Sequence, residues 1–449
     1  MAAEKKILLL GSGFVARPCV AYVLRRPENR VTIACRHIET AKELASQFER
    51  TTPISLDVSD EEALDAAVAE HDLVISLIPY IHHARVIKSA IKSKRNVVTT
   101  SYVSEAMMAL DEEAKKAGIT VMNEIGLDPG IDHLYAVKTI EEVHAQGGKI
   151  LSFLSYCGGL PAPEASNNPL GYKFSWSSRG VLLALRNTAR YYEDGKIVEY
   201  SGTDLMNSAK PIYIYPAFAF VGYPNRDSVP YKERYHIPEA HTILRGTLRY
   251  QGFPKFVKAL VDIGFLDDSS KDYLAADAAD ITWRDVMARM VGSSAGDESA
   301  LRQAVADKIN EAPEEVERIL DGMKWLGLFS DTKAHRRGNS LDTLCATLEE
   351  KMMYEEGERD MVMLQHRFGI ELADGTKQTR TSTLLAYGVP NGDTSMATTV
   401  GIPCGIATQL VLDGVLKQTG ILAPMSSEIN NPIIELLEKE GIGMVEAIL

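Results

Sequence analysis

The chain has little of what would mark it as secreted, metal-bound or nucleic-acid-bound. Its 449 residues include five cysteines, Cys19, Cys35, Cys157, Cys345 and Cys404, odd in number and without paired spacing. Neither a disulfide framework nor a zinc knuckle fits that pattern, so reduced thiols are expected. The adjacent His82 and His83 have no carboxylate or cysteine nearby to complete a ligand set, and no metal is expected. Positive charge is also short: 48 Lys and Arg against 61 Asp and Glu give a formal charge of −13. Nucleic acid and anionic membrane both require a basic face, so neither is expected as a partner. No apolar run approaches the ~20 residues that span a bilayer. The N-terminus leads straight into a strand-like run, with no room for a secretory signal, and a cytoplasmic location is expected. There is no fixed-period repeat and no low-complexity tract. At 45% hydrophobic and 24% charged, the chain is ordinary globular material, long enough for about three domains.

What is present begins at once. The apolar run Lys5-Lys-Ile-Leu-Leu-Leu10 is followed by Gly11-Ser12-Gly13-Phe14-Val15-Ala16 and then a helix-like stretch. Strand, glycine turn and helix together form a dinucleotide-binding signature. Gly11 allows the tight turn, Gly13 lets the main chain approach a pyrophosphate, and the small Ala16 permits close helix–strand packing. The next strand-like run, Val31 to Arg36, ends where an NAD site places Asp or Glu. Arg36 stands there instead. A carboxylate at that point repels a 2′-phosphate, whereas a guanidinium binds it with a planar fork, so NADP is expected over NAD, with His37 as a neighbour.

Further apolar runs near 52–58, 72–80, 96–103 and 119–126 alternate with helix-like stretches such as Glu61 to Ala69 and His83 to Lys94. The expected solution is α/β, a parallel sheet with ligands at the carboxyl ends of its strands. That rule nominates Asp57-Val58, Leu77-Ile78-Pro79, Ser101-Tyr102 and Gly126-Leu127-Asp128-Pro129-Gly130. Asp57 also suits a helix cap and Pro79 a strand end. After Gly130 the pattern changes. A helix is expected from Ile131 to Ala145, a strand over KILSFLSYCGGLP, a helix over VLLALRNTARYY, and strands over PIYIYPAFAFVGYP and RGTLRYQGF. Residues 253–340 read as helical, Leu341 to Met353 as helix, MVMLQHRFGIEL and TRTSTLLAYG as a return to sheet, and Ser395 to Leu416 as a small-residue helix packing back on the first domain. The resulting plan is a nucleotide-binding Rossmann domain over 1–130, an α/β domain in two parts (131–252 and 341–393), an inserted helical domain over 253–340, and a C-terminal helical segment over 394–449.

Read together, GSGFVA, ACR ending at Arg36, LDV, SLIPY, TTSYVS, NEIGLDPGIDH, YCGGLPAPE, NPLGYKFSWSSRG, YPNRDS and RGTLRYQGF closely resemble the NADP-dependent, L-glutamate-forming saccharopine dehydrogenase family. The similarity covers essentially the whole chain, and its two longest motifs are far more specific than a glycine turn alone. The resemblance implies a variant Rossmann domain, an α/β domain that binds substrate and mediates homodimerisation, and an all-helical domain. It implies reduction by NADPH of the imine formed from 2-aminoadipate 6-semialdehyde and glutamate, giving saccharopine in lysine biosynthesis. It further implies NADP contacts at Ser12 to Val15, Cys35 to His37, Asp57-Val58, Leu77 to Pro79, Leu127 to Gly130 and Ser175. Saccharopine contacts fall at Ser101, Tyr102, Arg226, Arg245, Gly246 and Thr247.

The implied product carries three carboxylates and two amines, so its site needs converging cations in an acidic protein. Arg226 in a Tyr-Pro-Asn-Arg turn and Arg245 before Gly-Thr suit bidentate carboxylate binding; Lys173 and Arg179 are weaker candidates, Arg179 reading better as a surface charge. Asp128, just past the last Rossmann strand, suits an ammonium and equally suits capping the Ile131 helix. Tyr102 and Cys157 are candidates for shaping the pocket or relaying a proton from strand ends. A protonated imine is already electrophilic, so alignment in a dry pocket carries most of the demand. Two alternatives stand beside this reading: another imine-forming reductase of the carboxynorspermidine type, and a catalytically silent NADP-sensing module.

Overall fold

A run of four buried apolar residues, Ile7 to Leu10, begins the sheet, as expected for a strand covered on both faces. The computed structural model describes residues 3–175, 177–294 and 296–449. It divides into two compact units, one running to Ile150 and resuming at Ile370, the other Leu151–Gly369. In the first unit, β1 (Lys5–Leu10), β2 (Asn29–Cys35), β3 (Thr51–Ser55), β4 (Leu73–Ser76), β5 (Asn96–Thr99) and β6 (Thr120–Met122) are connected by helices. All pair in parallel, in the order β3-β2-β1-β4-β5-β6. Strand order therefore reverses beside β1, and that is where such a sheet opens a crevice at its carboxyl end.

The helix Ile131–Ala145 forms where its periodicity predicts it. It belongs to the first unit rather than opening a second, and its side chains are buried nearly all round. The polar residues Asp132 and His133 lie on it, fully enclosed.

In the second unit, β7 (Lys149–Pro161), β8 (Ala189–Glu193), β9 (Lys196–Tyr200), β10 (Lys210–Pro211), β11 (Phe220–Pro224), β12 (Thr242–Tyr250) and β13 (Asp360–Glu371) form a mixed sheet with the order β10-β11-β12-β7-β13. β12 runs parallel to β7 and antiparallel to β11. Helices Phe253–Ile263, Trp283–Val291, Glu298–Ala306, Pro313–Leu326 and Ser340–Lys351 fill the stretch read as helical. Two local expectations fail here. The helix expected over VLLALRNTARYY stops at Ala184, and Ala189 onward enters β8. The turn to β9 is Asp194-Gly195, both residues at positive φ (49° and 79°), the form a two-residue hairpin demands. Of PIYIYPAFAFVGYP, only Pro211 and Phe220–Pro224 are strand; Pro216, lacking an N–H, interrupts the run.

The chain returns to the first unit with β14 (Lys377–Tyr387), β15 (Gly420–Leu422) and β16 (Val445–Ile448). β15 lies parallel to β6 as a seventh strand of the Rossmann-type sheet, and β16 pairs antiparallel with β14. The C-terminal segment is thus not purely helical as expected; three- and four-residue strands leave too short a pattern to read. The helix Ser395–Leu412 packs on the helix Ala16–Val23. A Cβ on Gly401 would lie 2.5 Å from the Val15 carbonyl, and one on Gly405 would lie 2.9 Å from the Tyr22 side chain. By length and composition this helix is apolar enough to cross a membrane, contrary to the reading that no such run exists. With 72% of it buried, it is a core helix of this unit.

Candidate active site

The glycine turn is tied to the tips of both neighbouring strands. Gly11 N donates to Ala34 O (2.9 Å) and Leu77 N donates to Leu10 O (2.9 Å). Gly11 has φ +99°, and a Cβ there would sit 2.8 Å from Leu77 O, so both backbone and space exclude a side chain. Gly13 has nothing within 4 Å of its Cβ position, leaving its surface open beside the amino end of helix Ala16–Val23. That helix carries no acidic residue in its first turn and no side-chain cap at Val15. Phe14 is exposed. The Cys35 thiol donates to Ser12 Oγ (3.1 Å), joining the turn to the end of β2. Arg36 and His37 follow, both exposed. An open anion cradle with a guanidinium at the tip of β2 fits a dinucleotide bearing a 2′-phosphate.

Asp57 does not cap the following helix; Asp60 does, accepting from Ala63 N. Asp57 instead accepts from Ser59 N (2.8 Å) and Ser59 Oγ (2.7 Å). Those two bonds hold its carboxyl below the usual range, with Arg36 and His82 adding attraction. Val58 is buried, Leu77 and Ile78 are half-buried, and Pro79 is exposed at the start of a single 3₁₀ turn.

At the ends of β4 and β5 the structure gathers a residue that the sequence reading passed over. His83 is buried, with Nδ1 2.9 Å from Ser76 Oγ and Nε2 2.8 Å from Ser101 Oγ and 3.1 Å from Thr99 Oγ1. Burial lowers its pKa to about 4, so the ring is neutral near pH 7 and Nε2 or Nδ1 can accept a hydroxyl proton. The signal was present in the pattern: His83, Val86, Ile87 and Ala90 are the buried i, i+3, i+4, i+7 face of one helix.

Between β6 and the Ile131 helix, the chain turns through NEIGLDPG. Tyr102 OH donates to Asp128 Oδ1 at 2.7 Å, so these two candidates are brought together. The Asp128–Pro129 peptide is cis and Gly130 has φ +147°. A Cβ on Gly130 would overlap Gly126 O, and Gly126 N donates to Pro129 O. Leu127 and Pro129 are buried. Gly130, not Asp128, is the helix N-cap. Under this loop lie three enclosed ionisable side chains. Glu124, at φ +59°, has Oε2 2.8 Å from His133 Nε2, and His133 Nδ1 lies 3.4 Å from Asp132 Oδ2.

In the second unit three of the substrate candidates, Arg245, Gly246 and Thr247, lie on β12, and Arg226 lies in the turn after β11. Residues two apart on β12 share a face, so Arg245, Thr247 and Arg249 stand in a row. Thr247 is in register with Cys157 on β7 and Tyr223 on β11. Cys157 lies within β7, not at its end as expected, because the strand runs on through Gly158, where a Cβ would strike Leu248. Arg245 is buried, stacked 4.3 Å from the Tyr231 ring centroid, and its main-chain N donates to Ser228 Oγ. Gly246 faces the other way, where Tyr156 and Tyr223 O leave no room for a side chain. Arg226, exposed and at φ +55°, is placed beside Arg245 by Asn225 N donating to Arg245 O. Arg249 was not picked out from the sequence. It is buried between the Tyr172 and Phe253 rings, and the alternation Arg-x-Thr-x-Arg was its signal.

Ser175 is buried in this unit, and the neighbouring Trp176 of the FSWSS motif lies outside the described residues. Lys173 is buried and paired with Glu358. Arg179 is a surface pair with Asp342 (2.7 Å). Among the described residues, no three His, Cys, Asp or Glu side chains form a metal set.

A parallel sheet with this strand order and glycine turn, followed by a mixed sheet carrying a row of cations, defines a two-part oxidoreductase with a Rossmann-type nucleotide domain. Residues 7–122 match the family model of the saccharopine dehydrogenase NADP binding domain, and residues 126–442 that of the saccharopine dehydrogenase C-terminal domain. The chain is 62% identical to saccharopine dehydrogenase [NADP(+), L-glutamate-forming] of Pyricularia oryzae, with 100% of both chains covered. Against the enzyme of the same name from Schizosaccharomyces pombe it is 60% identical, over 99% of each. The apo saccharopine dehydrogenase (L-Glu forming) structure from Saccharomyces cerevisiae superimposes with a TM-score of 0.92 at 58% identity, over 99% of this chain and 100% of that one. The chain belongs to the saccharopine dehydrogenase family.

Proposed function

We propose that the chain catalyses the reversible, NADPH-dependent reduction of the imine of L-2-aminoadipate 6-semialdehyde and L-glutamate, giving L-saccharopine in lysine biosynthesis. The observation that carries this is the 60–62% identity, over 99–100% of both chains, with two fungal proteins named for that reaction. Bound NADPH supplies the hydride. The turn Gly11–Val15 and the helix start behind it hold the pyrophosphate, and Arg36 selects the 2′-phosphate. Cys35, His37, Asp57, Val58, Leu77 to Pro79, Leu127 to Gly130 and Ser175 are the further cofactor candidates.

Arg226 and Arg245 each grip a substrate carboxylate, with Gly246 and Thr247 alongside. Arg245 is held by its ring stack and lacks the freedom of a surface arginine, which reduces the entropy lost on binding. Asp128 receives an ammonium. Its partner Tyr102 fills one of its oxygens and so fixes the direction of the other. Ser101, oriented by neutral His83, offers a further hydrogen bond. Tyr102, Asp128 and Cys157 are placed to shape the pocket and steer protons, and the hydride step itself calls for alignment more than for a strong acid.

We further propose a cytoplasmic homodimer that binds neither membrane nor nucleic acid. The free thiols and acidic charge support the first and last of these, and the family resemblance supports the dimer. The test of function is a spectrophotometric assay of NADP reduction with pure saccharopine. Turnover with saccharopine and none with carboxynorspermidine-type products is the expected result. NADPH binding without any turnover marks a sensor and overturns it.

A further inference from the structure

Glu124 touches the chain on both sides of Tyr102. Its main-chain N donates to Ser101 O (3.2 Å), and its side-chain Oε1 accepts from Val103 N (3.0 Å). Its other oxygen faces His133 Nε2 at 2.8 Å. Beyond the ring, Asp132 Oδ2 faces Nδ1 at 3.4 Å, while Asp132 Oδ1 accepts from Gly130 N at 2.6 Å. Gly130 closes the loop that carries Asp128. The row Glu124–His133–Asp132 therefore begins at the segment bearing Tyr102 and ends at the loop bearing Asp128. Those are the two residues joined by the 2.7 Å hydrogen bond.

All three side chains are at most 1% exposed. Enclosing two carboxylates and an imidazole is costly, and an apolar trio of similar volume commonly packs at least as stably. Glu124 also holds a left-handed backbone conformation that a non-glycine residue seldom adopts. Backbone strain and three buried ionisable groups linked to one pair of side chains fit a geometric duty better than a stabilising one. The row is hydrogen-bonded at its two ends, Val103 N to Glu124 Oε1 and Gly130 N to Asp132 Oδ1, and such bonds set a distance and a direction together, which apolar packing does not do.

We propose that Glu124, His133 and Asp132 are positioning residues: a buried frame that sets the Tyr102–Asp128 hydrogen bond from both ends. The proposal rests on the function given above, since the pair matters only to the substrate bound there. The frame touches neither the glycine turn nor Arg36 and meets the cofactor candidates only at Gly130, so its loss is expected to fall on the substrate step more than on cofactor affinity.

The test is a double-mutant cycle between His133→Gln and Tyr102→Phe, read as kcat and kcat/KM for saccharopine oxidation, with NADPH binding and thermal melting measured alongside. His133→Gln is expected to lower kcat/KM about fivefold, with a smaller change, about twofold, in the NADPH Kd. In the Tyr102→Phe background the same substitution is expected to cost less than about twofold. Equal fold losses in the two backgrounds, or a fall in melting temperature with kcat/KM intact, overturn the frame. Glu124→Gln, which keeps an acceptor for Val103 N but replaces the oxygen facing the ring with an amide nitrogen, runs through the same cycle with the same criteria should His133→Gln fail to fold. A wild-type protein inactive on saccharopine sinks the functional reading itself; an active one with additive losses sinks only the frame.

Discussion

The glycine turn of the first unit and strand β12 of the second are built on opposite plans. At the turn, the function proposed above leaves recognition to the main chain. Gly11 is squeezed against Leu77 O, Gly13 is bare, and the helix behind them offers N–H groups. On β12 the main chain is consumed by the sheet, and residues alternate across it: Arg245, Thr247 and Arg249 toward one face, Gly246 toward Tyr156 on the other; in the function proposed above, recognition there passes to side chains. A main-chain site tolerates almost no change in spacing, whereas a side-chain site needs only the correct parity. The first is the more sensitive to added atoms and the second to lost charge.

The largest effect is expected at Arg226, in the turn after β11 and tied to β12 through Asn225 N and Arg245 O. Truncation of Arg226 to alanine should raise the apparent KM for saccharopine by about two to three orders of magnitude, as loss of a charge-assisted bidentate pair predicts, and Arg226→Lys should recover only part of it. An unchanged KM removes this arginine from the substrate. Next, Arg36→Asp should weaken NADPH binding about a hundredfold and NADH binding less than about threefold. Parallel losses in a fluorescence titration would show that the tip of β2 does not read the 2′-phosphate. Third, Gly11→Ala should destabilise the apoprotein by about 2 kcal/mol, because both φ and the Leu77 carbonyl oppose a methyl group. Gly13→Ala should leave the melting temperature alone and weaken NADPH binding. If the two glycines behave alike in thermal melts, the distinction between a structural and a binding glycine falls.

The smallest effect concerns His83. Its pKa is depressed to about 4 by burial, so above about pH 6.5 both folded and unfolded chains carry it neutral. As pH falls below 6.5 the unfolded chain takes up a proton that the folded one refuses until near pH 4, and stability declines across that window. At pH 5.5 the deficit is about 1 kcal/mol. Denaturant titrations of His83→Gln should show a pH dependence flatter by that amount between pH 7 and 5.5; identical slopes would mean that the ring is not held neutral.

The same contrast explains what could be read from the sequence. The order of strands and helices through residue 145 followed from apolar runs and the glycine turn, since buried parallel strands are continuous in hydrophobicity. Arg36, Arg226 and Arg245 were nominated because of their motifs. What escaped was set by tertiary contact. His83 was read only as half of an adjacent pair without a ligand set, until its helix face was counted. Glu124, His133 and Asp132 sit within a motif whose meaning lies in side-chain directions rather than spacing. The boundary read at 130 lies near the break between the two family models, 122–126, while the compact units part at Ile150 because the Ile131 helix packs into the first; β15 was too short to register. The β8–β9 hairpin was signalled by Asp194-Gly195 and overlooked in favour of a helical period that ended at Ala184.

The seventh strand has a consequence for how the molecule is made. β15 completes a sheet begun at residue 5, and the helix Ser395–Leu412 covers helix Ala16–Val23. At ribosomal speeds of ~5–20 residues per second, the amino-terminal half waits on the order of half a minute for them. Throughout that interval β6 presents an open edge, and the apolar flank of helix Ala16–Val23, with Cys19 in it, has no cover. The nascent polypeptide is then most exposed to chaperone capture or misassociation, and a premature stop anywhere before residue 420 would leave the nucleotide-binding half complete in motif yet unfinished as a folding unit.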